Sequence, residues 1–580
     1  MKTENTMKEK STMNKVVHAD KSMRMSLRCR RLAVVTCAAS VLLVHLVASA
    51  EATKFIASGW EFHQADADTL LARADEMDAT PIDGCMLPFW AKDKNGRKIT
   101  SRYILQQPKW DYSDLESVIP SYRKLLSRKA YRSSFLTVFG FHGMKKRVAW
   151  TDNETWGRVA HNMRLAARFA KACGFVGLHM DPEDYNLMQQ FMRVDSDGMP
   201  YEDLAALARK RGREVFSGAF EEFPEAKVLS FWFVTWWDIG ASDVPAKYAR
   251  DILYCRGNSL MPHFIDGIFD VLPPAAALID GMETAYSWRA SRMQYLTTAN
   301  RIRSKFVGLL SPENRGKYRG QMQTSFGIYP KGYSVVTNGM FYMEPIDGSR
   351  LKHLRMNLKQ ASDAADEFLW FYGPDIGWMK GKNGKSKWSE VIPGLYDTML
   401  AVKDPAEMGR RIRRRMEAGQ LVAANANPAC VSDDPNKVPK PYWTSNEPAR
   451  KKFREGSFGS DLSFGHGDKS SLLATGVQKG CFVSDAENIR PGDIVGLSFC
   501  SKGRRVAAAV EWKKGDKVDR VLTRAMIPVL GAADADGWKQ ADWCAIVPDG
   551  ADGIRFVINI FQDAGEKTWI DDVYIIPVKD

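Results

Sequence analysis

The sequence has no Gly-rich phosphate loop, no nucleophile elbow and no His-x-x-x-His helix, so nucleotide hydrolysis, serine-esterase chemistry and helix-borne zinc proteolysis all lack their residues. Cysteine is scarce and unpatterned. Nine occur in 580 residues, none in a Cys-x-x-Cys pair, which excludes a zinc ribbon and a disulfide scaffold. An odd number, seven, lies beyond residue 50, and a Cys481–Cys500 or a Cys500–Cys544 bridge stays open to an oxidising compartment. A dense basic stripe with interleaved aromatics is missing too. The net charge of +13 shrinks on inspection, because nine Lys/Arg against three Asp/Glu in residues 1–50 supply +6 and leave +7. The short Arg410–Arg415 run reads as the solvated end of a helix, so nucleic acid is not expected as a partner.

What is present is a globular composition of 45% hydrophobic, 26% charged and 11% aromatic residues. That fills sizeable cores in more than one domain and is unlike a disordered, collagen-like or multi-span membrane chain. Arg28, Arg30 and Arg31 precede the apolar run from Leu32 to Val47, which ends in Ala48-Ser49-Ala50 before Glu51. This pattern predicts a signal peptide over residues 1–50 and a secreted or periplasmic protein. A membrane becomes a partner only if the segment stays uncleaved as an anchor.

Across residues 51–416 short apolar runs alternate with helical periods, the βαβα texture of a parallel sheet. Eight strands are expected: Phe55–Trp60, Ile82–Phe89, Ser134–Phe141, Phe175–Asp181, Lys227–Thr235, Ala276–Gly281, Gln323–Tyr329 and Glu367–Tyr372. Eight is the number that closes, so the expected fold class is α/β, a (β/α)8 TIM barrel. Residues 417–580 change texture to Pro/Asn-rich loops and alternating short strands, which predicts an all-β, jelly-roll-like sandwich.

Active sites of such barrels sit at the carboxyl ends of the strands. In chain order those ends carry Trp60, Glu61 and His63, then Trp90, then His142, then Asp181, Glu183, Asp184 and Tyr185, then Trp236, Trp237 and Asp238, then Glu283 and Tyr286, then Tyr329, and last Tyr372. Aromatic rings beside acids suit a sugar, whose C–H face stacks on a ring while carboxylates take its hydroxyls. Three carboxylates fall within four residues in Asp181-Pro182-Glu183-Asp184, where mutual repulsion and burial would raise at least one pKa toward that of a general acid. Helix capping by Asp181 or Asp184 and ion pairing of Glu183 are the structural alternatives. Glu283, two strands further round, is the acid able to face this group across a bound sugar, and two opposed carboxylates are what glycosidic cleavage usually needs. The catalytic candidates are therefore Asp181, Glu183 and Glu283. Nothing in the spacing of His63, His142 and His179 demands a metal, and no catalytic cofactor is expected.

The segment from Val176 to Glu183 resembles the strand-4 signature of chitinase-type (family 18) glycoside hydrolases, with Asp181 and Glu183 matching its last two acids, Val176 and His179 replacing its first two, and Met282 with Tyr286 loosely similar to its strand-6 motif. That resemblance implies Glu183 as general acid and Asp181 as the residue orienting the substrate's acetamide. By position alone the chain is also similar to α-galactosidase-like barrel hydrolases, which implies Asp181 as nucleophile and Glu283 as acid. In the last domain Lys469-Ser470-Ser471-Leu472, Arg490-Pro491-Gly492-Asp493 and Trp569-Ile570-Asp571-Asp572-Val573-Tyr574 resemble family 4/9-type carbohydrate-binding modules. The resemblance implies glycan contacts by rings such as Trp512, Trp538 and Trp543, and is in keeping with a structural calcium near Asp571 or Asp572. The expected function is hydrolysis of glycosidic bonds in a poly- or oligosaccharide. The competing expectation is a non-catalytic glycan-binding protein on the same scaffold, whose acids only hydrogen-bond hydroxyls.

Overall fold

Each apolar run in the first part of the chain ends in a glycine, an acid or a turn and is followed by a segment with one apolar stripe, so it pairs with its neighbours and buries both faces. A computed structural model describes residues 53–140, 147–185, 189–194, 197–235, 259–334, 339, 341–380, 386–446, 456–522, 525–528 and 532–580. The barrel strands are Lys54–Gly59, Gly84–Leu87, Phe135–Gly140, Gly177–Asp181, Lys227–Ser230, Ala277–Asp280, a split seventh strand of Met322–Thr324 and Gly327–Ile328, and Phe368–Gly373. All pair in parallel in sequential order, and the first also pairs with the eighth over Lys54↔Phe368 to Gly59↔Gly373. The seventh is interrupted at Ser325-Phe326; its first piece pairs with the sixth strand and its second with the eighth, which closes the (β/α)8 barrel.

The long outer helices follow from periodicity and caps. Asn153–Cys173 opens on Asp152, whose side chain accepts from the Thr155 N–H, buries Val159, Met163, Ala166 and Ala170, and stops at Gly174 with φ +97°, a left-handed stop suited to glycine. Met261–Val271 is a further outer helix, and residues 236–258 before it lie outside the described residues. Residues 1–52, with the expected signal peptide, also lie outside them. No helix among the described residues is long and apolar enough to cross a membrane.

The C-terminal part is a sandwich of two antiparallel sheets. One orders Trp443–Asn446, Gly480–Glu487, Gly553–Ile560, Val506–Lys514 and Lys517–Val518; the other orders Ser457–Asp461, Ser471–Thr475, Lys567–Val578, Ile494–Lys502 and Lys539–Ile546. Inward residues such as Phe482, Val510, Phe556, Leu497 and Ile575 fill the space between them. Neither candidate disulfide forms, since Cys481, Cys500 and Cys544 are free thiols. Cys500 stands opposite Gln540 and Cys544 opposite Gly496, on separate rungs, while Cys481 belongs to the other sheet.

Barrel and sandwich meet along helix Pro405–Glu417. Met408 and Ile412 pack with Ile494, Cys544 and Ile576, and Gly409 lies so close to Trp543 that a Cβ would come within 2.4 Å of its backbone nitrogen. Of the Arg410–Arg415 run, Arg413 bonds Asp542 of the sandwich at 2.9 Å, while Arg410, Arg411 and Arg414 surround Glu407.

Candidate active site

The acid candidates of the fourth and sixth strands converge at the mouth. Asp181 closes its strand, is 4% exposed, and accepts the Glu183 N–H at 3.2 Å. That turn brings the Glu183 carboxyl next to Glu283, close enough for its charge to act on it. Burial first, then the charges of Glu183 and Asp181, push the Glu283 carboxyl well above its ordinary 4.5, so this pair holds a proton on Glu283. Burial and then Glu183 push Asp181 up to about 7, against the opposing pull of Arg102.

Glu283 owes its place to a tight turn. The buried Asp280 accepts the N–H groups of Phe233 at 3.0 Å, Val234 at 2.7 Å, Thr235 at 3.1 Å and Met282 at 3.0 Å, together with the Thr235 hydroxyl at 2.7 Å. Met282 adopts a left-handed φ of 40°, and the Glu283 N–H then reaches the Phe231 carbonyl at 3.1 Å. Gly281 admits no side chain, since a Cβ would stand 2.4 Å from the Ser230 carbonyl. Trp370 caps the turn by donating to the Gly281 carbonyl at 2.7 Å and stacking on Phe231 at 4.3 Å.

One wall of the mouth is aromatic. Tyr286 lies 5.2 Å from Tyr329, 5.4 Å from Trp370 and 6.5 Å from Tyr372, ring centre to ring centre. Its buried hydroxyl has no hydrogen-bond partner among the described residues, and burial first, then Glu283 and Glu183, hold its proton on. Gly327 leaves room for the ring, where a Cβ would approach the Tyr286 edge to 2.7 Å. Tyr185, 67% exposed, reaches the Glu183 carboxyl from the solvent side.

One buried cation adjoins the mouth. Arg102, 4% exposed, lies over the rings of Trp60 at 5.3 Å and Tyr103 at 5.2 Å. Its Nε and the Nε2 atoms of His63 and His179 are buried without hydrogen-bond partners among the described residues. Burial pushes His179 down to about 3 and holds His63 well below the usual range, with Arg102 adding to both, so the imidazoles are neutral.

Other expected contacts have structural duties. Glu61 accepts the N–H groups of Trp378 at 2.7 Å and Met379 at 3.3 Å, tying the first strand's end to the loop after the eighth. Asp184 accepts the Gln190 N–H at 2.8 Å. Trp90 donates its indole N–H to the His63 carbonyl at 3.3 Å. His142, Trp236, Trp237 and Asp238 lie outside the described residues. A cavity of about 480 Å³ beside the mouth is lined by Trp60, Glu61, Arg73 and Asp375 among others, and by none of Asp181, Glu183 and Glu283. In the sandwich, Trp512 and Trp538 are 4% and 3% exposed and belong to the interior rather than to a groove. Arg102, Asp280 and Trp370 carried no signal in the sequence beyond their neighbourhood.

No protein-family profile matches the chain. No curated protein matches it either. Solved structures align weakly. An exo-β-1,4-mannosidase from Opitutaceae bacterium strain TAV5 aligns at 12% identity over 55% of this chain, with a TM-score of 0.31, and the chain spans about half, 51%, of that enzyme. A carbohydrate-binding module solved with β-1,4-galactotriose aligns at 15% identity over 27% of this chain and 97% of its own, with a TM-score of 0.19. A xylan-binding domain from Paenibacillus barcinonensis aligns at 15% identity over 25% of this chain and 94% of its own, with a TM-score of 0.18.

The raised Asp181 carboxyl makes a stability prediction. Because its folded value lies above the ordinary 3.8, the folded chain binds a proton more tightly than the unfolded one, and the group's favourable contribution fades as pH rises from about 4 to about 7. The deficit at pH 8 is on the order of 4 kcal/mol. Asp181→Asn is therefore expected to melt several degrees above wild type at pH 8 and to converge with it at pH 4. A lower Tm at both pH values would mean that Asp181 is held as a charged partner of Arg102.

Proposed function

We propose that this is an exported glycoside hydrolase that cleaves a poly- or oligosaccharide at the barrel mouth with retention of anomeric configuration. The observation that carries the reading is the adjacency of the Glu183 and Glu283 carboxyls, which act on one another electrostatically, beside the Tyr286, Tyr329 and Tyr372 wall. Inverting enzymes hold their carboxyls ~6.5–9.5 Å apart to admit a water, and retaining ones ~5–5.5 Å apart. In this reading the adjacent pair works at the short, retaining side of that division.

In this reading Glu283, which holds the proton, gives it to the departing glycosidic oxygen. The Glu183 carboxylate attacks the anomeric carbon as the C–O bond breaks, leaving a glycosyl ester. Glu283, now a carboxylate, takes a proton from water, whose oxygen displaces Glu183 and restores the starting pair. Tyr286 and Tyr372 stack on the sugar face, and the buried Asp181 lies beside the reacting centre.

The test is release of reducing ends from a broad polysaccharide panel by the full chain and by Asp181→Asn, Glu183→Gln and Glu283→Gln proteins. Release by wild type and its loss in the Glu183 and Glu283 variants is the expected result. Glycan binding without release, or full activity in all three variants, would replace the hydrolase reading with a binding protein or another site.

A further inference from the structure

The sandwich contains a second cluster of ligating side chains, remote in sequence from the barrel mouth. His466 Nδ1 lies 2.7 Å from Asp572 Oδ2 and 3.2 Å from Cys500 Sγ, and the three atoms all fall within 4.8 Å of one another. They come from three separate segments: the loop before strand Ser471–Thr475, strand Ile494–Lys502 and strand Lys567–Val578. We propose that His466, Cys500 and Asp572 form a binding site for a borderline transition-metal cation of the zinc type, with a water in the fourth position.

The backbone around the cluster is built to bring these atoms together. Pairing of strands Ile494–Lys502 and Lys567–Val578 slips between Ser498 and Cys500, an irregularity of the kind that re-aims a side chain. Asp572 itself takes a left-handed φ of 50°, a conformation rare for a residue with a side chain. The shifted register at Cys500 and the left-handed turn at Asp572 thus set two of the three ligands.

The supporting contacts are those of a metal site. Asp571 does not ligate, because its carboxylate accepts the N–H groups of His466 at 2.7 Å and Asp572 at 2.8 Å and so fixes both ligand-bearing residues. The Tyr574 hydroxyl donates to Asp572 Oδ1 at 3.2 Å, leaving Oδ2 for the ion. The far nitrogen of His466 faces Asp534 at 3.6 Å, the carboxylate–histidine arrangement that fixes the tautomer of a metal-bound imidazole. Cys500 is wholly buried, while the His466 side chain keeps 34% of its surface exposed, which gives the ion an entry path.

The donor set selects the metal. Calcium takes about six to eight oxygen ligands, whereas an imidazole and a thiol are two of the three donors here, a set suited to zinc. Binding releases the thiol proton that Cys500 otherwise donates to Gln540 Oε1 at 2.9 Å, and takes the neutral His466 tautomer whose proton sits on Nε2 facing Asp534, which leaves the Nδ1 lone pair for the ion.

The experiment uses the full chain stripped with a chelator and titrated with Zn²⁺, Co²⁺ or Ca²⁺. Expected are one zinc per chain, a rise in Tm, and with Co²⁺ an intense thiolate-to-cobalt charge-transfer band that needs no variant to interpret. His466→Gln and Cys500→Ser should each weaken zinc binding about a hundredfold or more and abolish the band, with reducing-end release, where present, unchanged. Binding of calcium but not zinc, absence of the thiolate band, or unaltered zinc affinity in the His466→Gln/Cys500→Ser double variant would overturn the proposal.

Discussion

Glu283→Gln is expected to lower kcat by about 10²–10⁴-fold on any polysaccharide the wild type cleaves, with substrate binding retained, because the amide keeps the shape of the carboxylic acid but has no acidic proton to give. The assignment of roles is tested by leaving group. An aryl glycoside that expels an acidic phenol needs no proton donor, so Glu283→Gln should keep most of its bond-breaking rate on that substrate, while Glu183→Gln should be inactive on both. Equal losses on both substrates in the two variants would remove the distinction between donor and nucleophile. The physical basis is the asymmetry of the pair, since burial and two neighbouring carboxylates favour the protonated form of Glu283.

Asp280→Ala is expected to cost roughly 5 kcal/mol, since five hydrogen bonds to one buried carboxylate are lost and four of their donors are backbone N–H groups left without an acceptor. Denaturant unfolding and a drop in Tm of about 10 °C would report it. Activity should fall further than stability, because the same carboxylate holds the Met282 turn that presents Glu283. Asp280→Asn, which keeps an acceptor on one side only, should fall between the two. A loss under about 1 kcal/mol in the alanine protein would show that residues 233–235 find other acceptors.

The barrel was legible because its strands are short, apolar and bounded: the runs at Phe135–Gly140 and Gly177–Asp181 stand within a residue or two of their expected limits. The acids and tyrosines of the mouth were legible for the same reason, since a strand's end fixes where its last residues point. What escaped is tertiary. Asp280 reads as the last residue of an apolar strand, and its duty depends on N–H groups 45–47 residues away. Arg102 sits in the connection after a two-stranded ribbon, Trp90–Lys92 with Lys98–Thr100, inside what reads as one loop. Strands Trp443–Asn446 and Ser457–Asp461 escaped because they are polar edge strands. Trp512 and Trp538 show the converse: a ring in an all-β sandwich is as easily interior as groove, and burial decides it.

The most direct test of the central claim is the anomeric configuration of the first product, read by NMR before mutarotation, on the polysaccharide identified by reducing-end release. A Glu183–Glu283 pair acting through a glycosyl ester gives a product with the configuration of the bond that was cleaved. A product of opposite configuration would contradict Glu183 as nucleophile, and a protein that binds glycan yet forms no product would contradict the account as a whole.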